Sequence, residues 1–176
     1  VIRGTNAAKI VKRSHTSNQM EIVGMIRDVA KEYKIENRNI FVDIVGIGRG
    51  VYDRLRECGM DIEAISGGSN KVTSRYANLR AELYDRARKW MQGGGKLEKD
   101  DAWFQLTDIK YKHNSADKMK LKSKEDMKKD GIESPDEADA FSFTFTEDFL
   151  NDGLVSEVED DLISENRQNY VQNEFF

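Results

Sequence analysis

Nine consecutive residues, Ile40 to Gly48 with sequence IFVDIVGIG, constrain this chain more than any other segment. Their apolarity is continuous instead of alternating, which predicts a strand covered on both faces, as in an α/β sheet. A single acid, Asp43, is set into that run. A buried carboxylate is costly unless something neutralises it. A divalent cation is one such partner, because strand-borne carboxylates are rigid and Mg²⁺ or Mn²⁺ takes hard oxygen ligands. A hydrogen bond from the glycine-rich loop that follows is the other, and the sequence leaves both open.

Around this run, helical and extended patterns alternate. The opening VIRGTNAAKIVKR mixes β-branched residues with turn formers and reads as a strand. Thr16 and Gln19 have the spacing of a capping box, and Ile22, Ile26, Val29 and Tyr33 then form a helical stripe ending near Lys34. VYDRLRECG (51–59) predicts a short helix, IEAIS (62–66) a strand, and 74–92 a longer helix stopped by Gly93, Gly94 and Gly95. KMKLKSKED alternates, which predicts a strand with Lys118, Lys120, Lys122 and Lys124 on one face and Met119 and Leu121 on the other. In SPDEADAF (134–141), Ser134 is placed as N-cap, Pro135 as the first helical residue, and Asp136 and Glu137 in the first turn. Phe141, Phe145 and Phe149 extend that helix with an apolar stripe. Strands alternating with helices predict α/β or mixed α+β architecture.

The formal net charge of -4 conceals a division. Residues 1–129 carry a net +9 and residues 130–176 a net -13, with Arg167 the one base of the second part. A basic body suits a polyanion such as nucleic acid, or simply makes a soluble surface. No apolar run approaches the ~20 residues of a membrane span, and the N-terminus lacks the pattern of a signal peptide. Cys58 has no internal disulfide partner and is expected to be a small buried residue in a reducing compartment. The division predicts a domain over 1–150 and an acidic tail over 151–176 that is either a solubilising end, a docking segment, or a shield for the basic groove.

The candidate chemistry narrows quickly. GIGRGV is not a dinucleotide-binding loop, and the chain has no GxxxxGK[ST], so ATP binding is unsupported. Arg49 in that loop is placed to meet a phosphate. Asp136 and Asp139 lie three residues apart on one helix and share a face. Helix-dipole and capping effects account for Asp136, whereas Asp139, among apolar neighbours, calls for a partner, and a metal shared with Asp43 would serve both. His15 and His113 lack companions at zinc-ligand spacing.

The order of these elements, Asp43 with GIGRGVYDRLRECG, then RYANLRAELY (75–84), then LKSKEDMKKDGIESPDEADAF (121–141), resembles the nuclease domain of tailed-phage terminase large subunits. The resemblance implies an RNase H-like (RuvC-like) mixed sheet flanked by helices. It also implies a metal-dependent endonuclease that cuts concatemeric double-stranded DNA with two Mg²⁺ or Mn²⁺ ions during genome packaging. Asp43 and Asp139 match the family's catalytic acids, with Asp136 near enough to assist as a metal ligand. Lys124 matches a recurrent family lysine, and Asn78 and Arg80 match an N-x-R element of supporting role. Arg49 and the lysine row would hold the DNA backbone.

The family's first acid stands on an opening strand that this sequence lacks, which implies that the chain starts after that strand and carries an incomplete ligand set. Implied partners are the terminase ATPase domain, the small terminase subunit and the portal, in the cytoplasm of an infected bacterium and with no membrane. Two other readings share these residues: a RuvC-like resolvase or recombination nuclease, and a catalytically incomplete DNA-binding or docking module.

Overall fold

A computed structural model describes residues 1–146, and the expected acidic tail and Phe149 lie outside the described residues. Strand β1 (Ile2–Arg3) pairs antiparallel with β2 (Ala7–Lys9). Helix α1 (Gln19–Glu32) follows, then β3 (Phe41–Asp43), α2 (Gly48–Glu57) and β4 (Glu63–Ile65). β3 and β4 pair in parallel, with Asp43 opposite Ile65. Helix α3 (Leu79–Gln92) leads to β5 (Lys96–Leu97), which joins β2 in parallel and completes the order β1-β2-β5. A 3₁₀ turn, Asp101–Phe104, runs into the single-turn helix α4 (Gln105–Asp108). The antiparallel hairpin of β6 (Tyr111–His113) and β7 (Met119–Leu121) precedes α5 (Lys124–Lys129) and α6 (Asp136–Phe143).

Three apolar cores hold these elements. Val23 of α1, Val42 of β3, Val51 and Leu55 of α2, and Ile62 form the first; of the stripe predicted in α1, Ile22 and Ile26 pack against it, whereas Tyr33 is exposed. Tyr76, Ala81, Tyr84, Met119, Leu121 and Ala138 form the second, and seat α3 and α6 on β7. In the third, Phe141 meets Trp90, Trp103 and Phe145 edge to face at 5.3–5.8 Å, a favoured geometry for aromatic quadrupoles. Arg3 places its guanidinium 4.0 Å over the Phe145 ring and donates to the Thr144 carbonyl at 2.8 Å, tying β1 to the chain after α6.

Several local expectations are corrected. Asn18, not Thr16, caps α1: its side chain accepts from Met20 N at 3.1 Å, while the Thr16 hydroxyl donates to Glu21. α3 starts at Leu79, not Ser74, because Asn78 in extended conformation accepts from Ala81 N at 3.0 Å. Tyr76 therefore packs from the preceding bend and not from the helix. The alternating strand stops at Leu121, because Ser123 accepts from Asp126 N at 3.1 Å and opens α5 at Lys124. Ser134 does not cap α6. Its hydroxyl donates to Asp136, and the free amides of Glu137 and Ala138 are both satisfied by the Gln105 side-chain oxygen at 3.1 Å. α6 ends at Phe143, so Phe145 packs from beyond it. Cys58 is exposed, because it follows the last turn of α2 at the rim of the first core.

Candidate active site

Asp43 ends β3 half-buried, and its Oδ1 accepts from Val45 N at 3.0 Å. This bond bends the chain out of the sheet at once. Gly46 follows at φ 63°, a conformation that side chains with a Cβ avoid. A Cβ on Gly48 would stand 1.7 Å from the Asp43 carbonyl oxygen, so only glycine lets α2 begin directly beneath the strand end. The glycines are thus explained by the turn. Arg49, in the first turn of α2, spends its Nε on the Asp53 carboxylate at 3.3 Å.

Asp139 is held quite differently. It is 6% exposed on α6, and its Oδ1 accepts from Arg80 Nε at 2.8 Å and from the Tyr84 hydroxyl at 2.7 Å. Its Oδ2 lies 2.8 Å from Lys124 Nζ, which also reaches Asp136 at 3.3 Å. Arg80 and Tyr84 are four residues apart on α3 and so project from one face. Burial, reinforced by the neighbouring Asp139 charge, pushes the Tyr84 phenol far above its usual range. Burial works against the Lys124 ammonium, yet Asp139 and Asp136 outweigh it and its pKa is raised. Lys124 is therefore a permanent cation at this position. One guanidinium nitrogen of Arg80, Nη2, is buried without a hydrogen-bond partner among the described residues.

The structure brings Asp136, Asp139, Lys124 and Arg80 together, with Asn78 as the cap that starts Arg80's helix. Asp43 connects to this cluster through the strand pair. Its partner Ile65 precedes Gly67, whose Cβ position is 3.3 Å from the Arg80 Cβ and whose carbonyl accepts from Arg80 N at 3.0 Å. Of the lysine row, Lys120 is exposed on β7 and Lys118 is half-buried beside it, but Lys122 is paired with Asp130 and Lys124 with Asp139. The partial row reflects the early end of the strand. Tyr84 was not marked by its type. Its spacing from Arg80 on a helix was the available signal.

Hard oxygen donors suit a divalent cation, but the residues present do not fit a two-ion centre. Among the described residues no group of three or more His, Cys, Asp or Glu stands where it could hold a metal ion. Both oxygens of Asp139 are already bonded to Arg80, Tyr84 and Lys124. Also among the described residues, no helix is long and apolar enough to cross a membrane.

No family model matches the chain. It is 30% identical over 136 residues to the probable terminase large subunit of Enterobacteria phage P7, a match spanning 73% of this chain and 28% of that relative. The chain thus spans little more than a quarter of the relative's length. The structure is similar to the nuclease domain of the large terminase subunit gp2 of bacterial virus Sf6. A mutant of that domain with manganese and beta-thujaplicinol aligns with a TM-score of 0.64 and 21% identity, over 81% of this chain and 78% of the other. A further structure of that nuclease domain aligns with a TM-score of 0.54 and 22% identity, over 69% and 70%. The fold is therefore the RNase H-like α/β fold anticipated from the motifs, and in sequence and fold the chain resembles the nuclease domain of phage terminase large subunits.

Proposed function

We propose that this chain is the DNA endonuclease domain of a viral genome-packaging terminase, hydrolysing phosphodiesters of concatemeric double-stranded DNA. The observation that carries the reading is the Asp139 cluster with Arg80, Tyr84 and Lys124, in a chain similar to terminase nuclease domains. Asp43 and Asp139 are the acids on which cleavage depends, and Asp136 assists. Dependence on Mg²⁺ or Mn²⁺ belongs to this reading, supported by the manganese of the similar Sf6 domain. Such a centre needs at least one ligand beyond those that the described residues bring together.

What this chain's own residues do can be stated without the metal. Arg80 and Tyr84 fix the orientation of the Asp139 carboxylate through one oxygen, and Lys124 pairs with the other. The Val45 amide orients the Asp43 carboxylate. Exposed Lys120, with half-buried Lys118 beside it, neutralises phosphate charge without reading sequence. The implied partners are duplex DNA, the ATPase domain, the small terminase subunit and the portal. The domain occupies 1–150, with 151–176 as an acidic appendage.

The test is plasmid cleavage in Mn²⁺. Asp43→Asn and Asp139→Asn should each abolish nicking and linearisation, and full activity in either variant overturns the assignment. A second reading, a DNA-binding or docking module with an incomplete site, is favoured by the lack of a three-ligand group among the described residues. Duplex binding without any cleavage in Mn²⁺ would select it.

A further inference from the structure

Between β4 and α3 the chain runs through 66–78, SGGSNKVTSRYAN, and this segment carries two exposed bases, Lys71 and Arg75. Neither bonds a carboxylate among the described residues, and Arg75 lies 5.8 Å over the ring of its own neighbour Tyr76. Long exposed connections are usually mobile, but this one is fastened throughout. Ser69 N donates to the Ser66 carbonyl, and the amides of Leu79 and Arg80 return to Ser69 and Gly67 at 2.9 and 3.0 Å. Two buried acids of α3 hold its middle. Glu82, 2% exposed, accepts from Thr73 N at 3.1 Å, and Asp85, 4% exposed, accepts from the Tyr76 hydroxyl at 2.6 Å. The two carboxylates are also paired along α3, Glu82 with Arg86 at 3.0 Å and Asp85 with Arg88 at 2.6 Å, so each is charge-paired while it holds the loop.

The segment also runs beside the hairpin. Met119 N donates to the Arg75 carbonyl at 2.9 Å, and Ala77 N to the Met119 carbonyl at 2.8 Å. Arg75 is thereby placed next to Lys118 and Lys120, which flank Met119. Across the hairpin, Lys112 sits in register directly opposite Lys120. Like charges facing each other across strands are destabilising, and among the described residues no carboxylate is bonded to either. At its other end the segment passes through Gly67, which packs against the Arg80 that holds Asp139. A row of cations that bond no carboxylate among the described residues thus leads toward the candidate site.

From this juxtaposition we infer that segment 66–78 is a pre-ordered strap for the phosphate backbone of duplex DNA, with Lys71 and Arg75 extending the contact surface of the β6–β7 hairpin toward Asp139. Glu82 and Asp85 are its positioning residues, acting through Thr73 and Tyr76. The inference rests on the duplex-cleaving reading above. It adds residues that the alternation of the lysine row did not reveal.

The experiment is a salt titration of binding between the full chain and a fluorescent duplex in EDTA, so that cleavage plays no part. Each phosphate contact adds about 0.9 to the slope of log affinity against log salt. Lys71→Ala with Arg75→Ala should therefore flatten the slope by about 1.8 and weaken binding roughly 60-fold at 0.1 M salt, taking equal affinities at 1 M. Arg54→Ala with Arg56→Ala, which removes cations paired to Glu57 and Asp61 on α2, should leave the slope unchanged. Tyr76→Phe, which frees the strap from Asp85, should weaken binding about threefold while keeping the slope.

An unchanged slope in the Lys71/Arg75 variant, an equal loss in the Arg54/Arg56 control, or no duplex binding by the parent chain overturns the strap. A strap-dependent slope in a chain that never cleaves supports the strap and defeats the nuclease reading. Cleavage with a strap-independent slope does the reverse.

Discussion

Asp43 and Asp139 are the same residue type at two ends of one proposed site, yet the protein holds them by opposite means. Asp43 stands half-buried at a strand end and takes one backbone amide, a local arrangement that β3 and its glycine turn supply unaided. Asp139 is buried on a helix and takes three side chains from α3 and α5, all distant in sequence. A carboxylate satisfied by its own backbone is cheap and independent of the rest of the molecule. One satisfied by charges is precise in orientation but makes stability hostage to every partner. The first arrangement separates function from folding, and the second couples them.

The largest effect expected from this contrast is in Asp139→Ala, which strands the largely buried Arg80 and leaves Lys124 with Asp136 alone. Removal of one partner of a buried pair costs about 3–5 kcal/mol, so urea unfolding should show a clear loss of midpoint. A loss below about 1 kcal/mol would erase the distinction between the two acids.

Next comes the pH response of α3. Burial opposes the Asp85 charge, but hydrogen bonds from Tyr76, Arg88 and Lys89 outweigh it and hold the carboxyl at about 2. A depressed folded pKa contributes stability that is complete above the unfolded value near 3.8 and disappears as pH falls through about 2. That contribution is about 2 kcal/mol. Asp85→Asn should remove the part of the stability slope between pH 4 and 2 that belongs to this group, as read from denaturation at stepped pH. A slope identical to the parent's would show that the group does not carry it.

Tyr84→Phe deletes one hydrogen bond to a charged acceptor and should cost about 1.5 kcal/mol. The same substitution should leave duplex affinity unaltered, since Tyr84 is buried. Smallest is Asp43→Asn, whose amide oxygen can still accept from Val45 N. We expect a stability change below about 0.5 kcal/mol together with complete loss of Mn²⁺-dependent cleavage. A large destabilisation there would place Asp43 with Asp139 instead of opposite it.

The readable parts of the molecule were those governed by neighbours in sequence. The β3 strand and the glycine turn appear near their expected places, because apolar patterning and backbone sterics act over a few residues, but the strand ends at Asp43 and the run's Val45 and Ile47 are exposed. Asp43's bond to the following turn was one of the two partners its position allowed. Boundaries failed where a side chain competed with the pattern. Asn78 and Ser123 each started a helix inside what had looked like a continuing element, although Ser123 with Asp126 is itself a capping spacing. Gln105 could not be found this way at all, since it caps a helix that begins 31 positions later.

By itself, then, the sequence determined an α/β chain with a basic body, an acid at a strand end, and a second acid on a late helix in need of a partner. Tertiary structure alone decided who that partner is. Arg80, Tyr84 and Lys124 converge on Asp139 only after α3 and α6 pack across β7, and no local periodicity encodes a contact spanning 59 residues. It also decided which lysines remain free for an anion. Charge is a property of residue type, but availability depends on which carboxylates folding brings within reach.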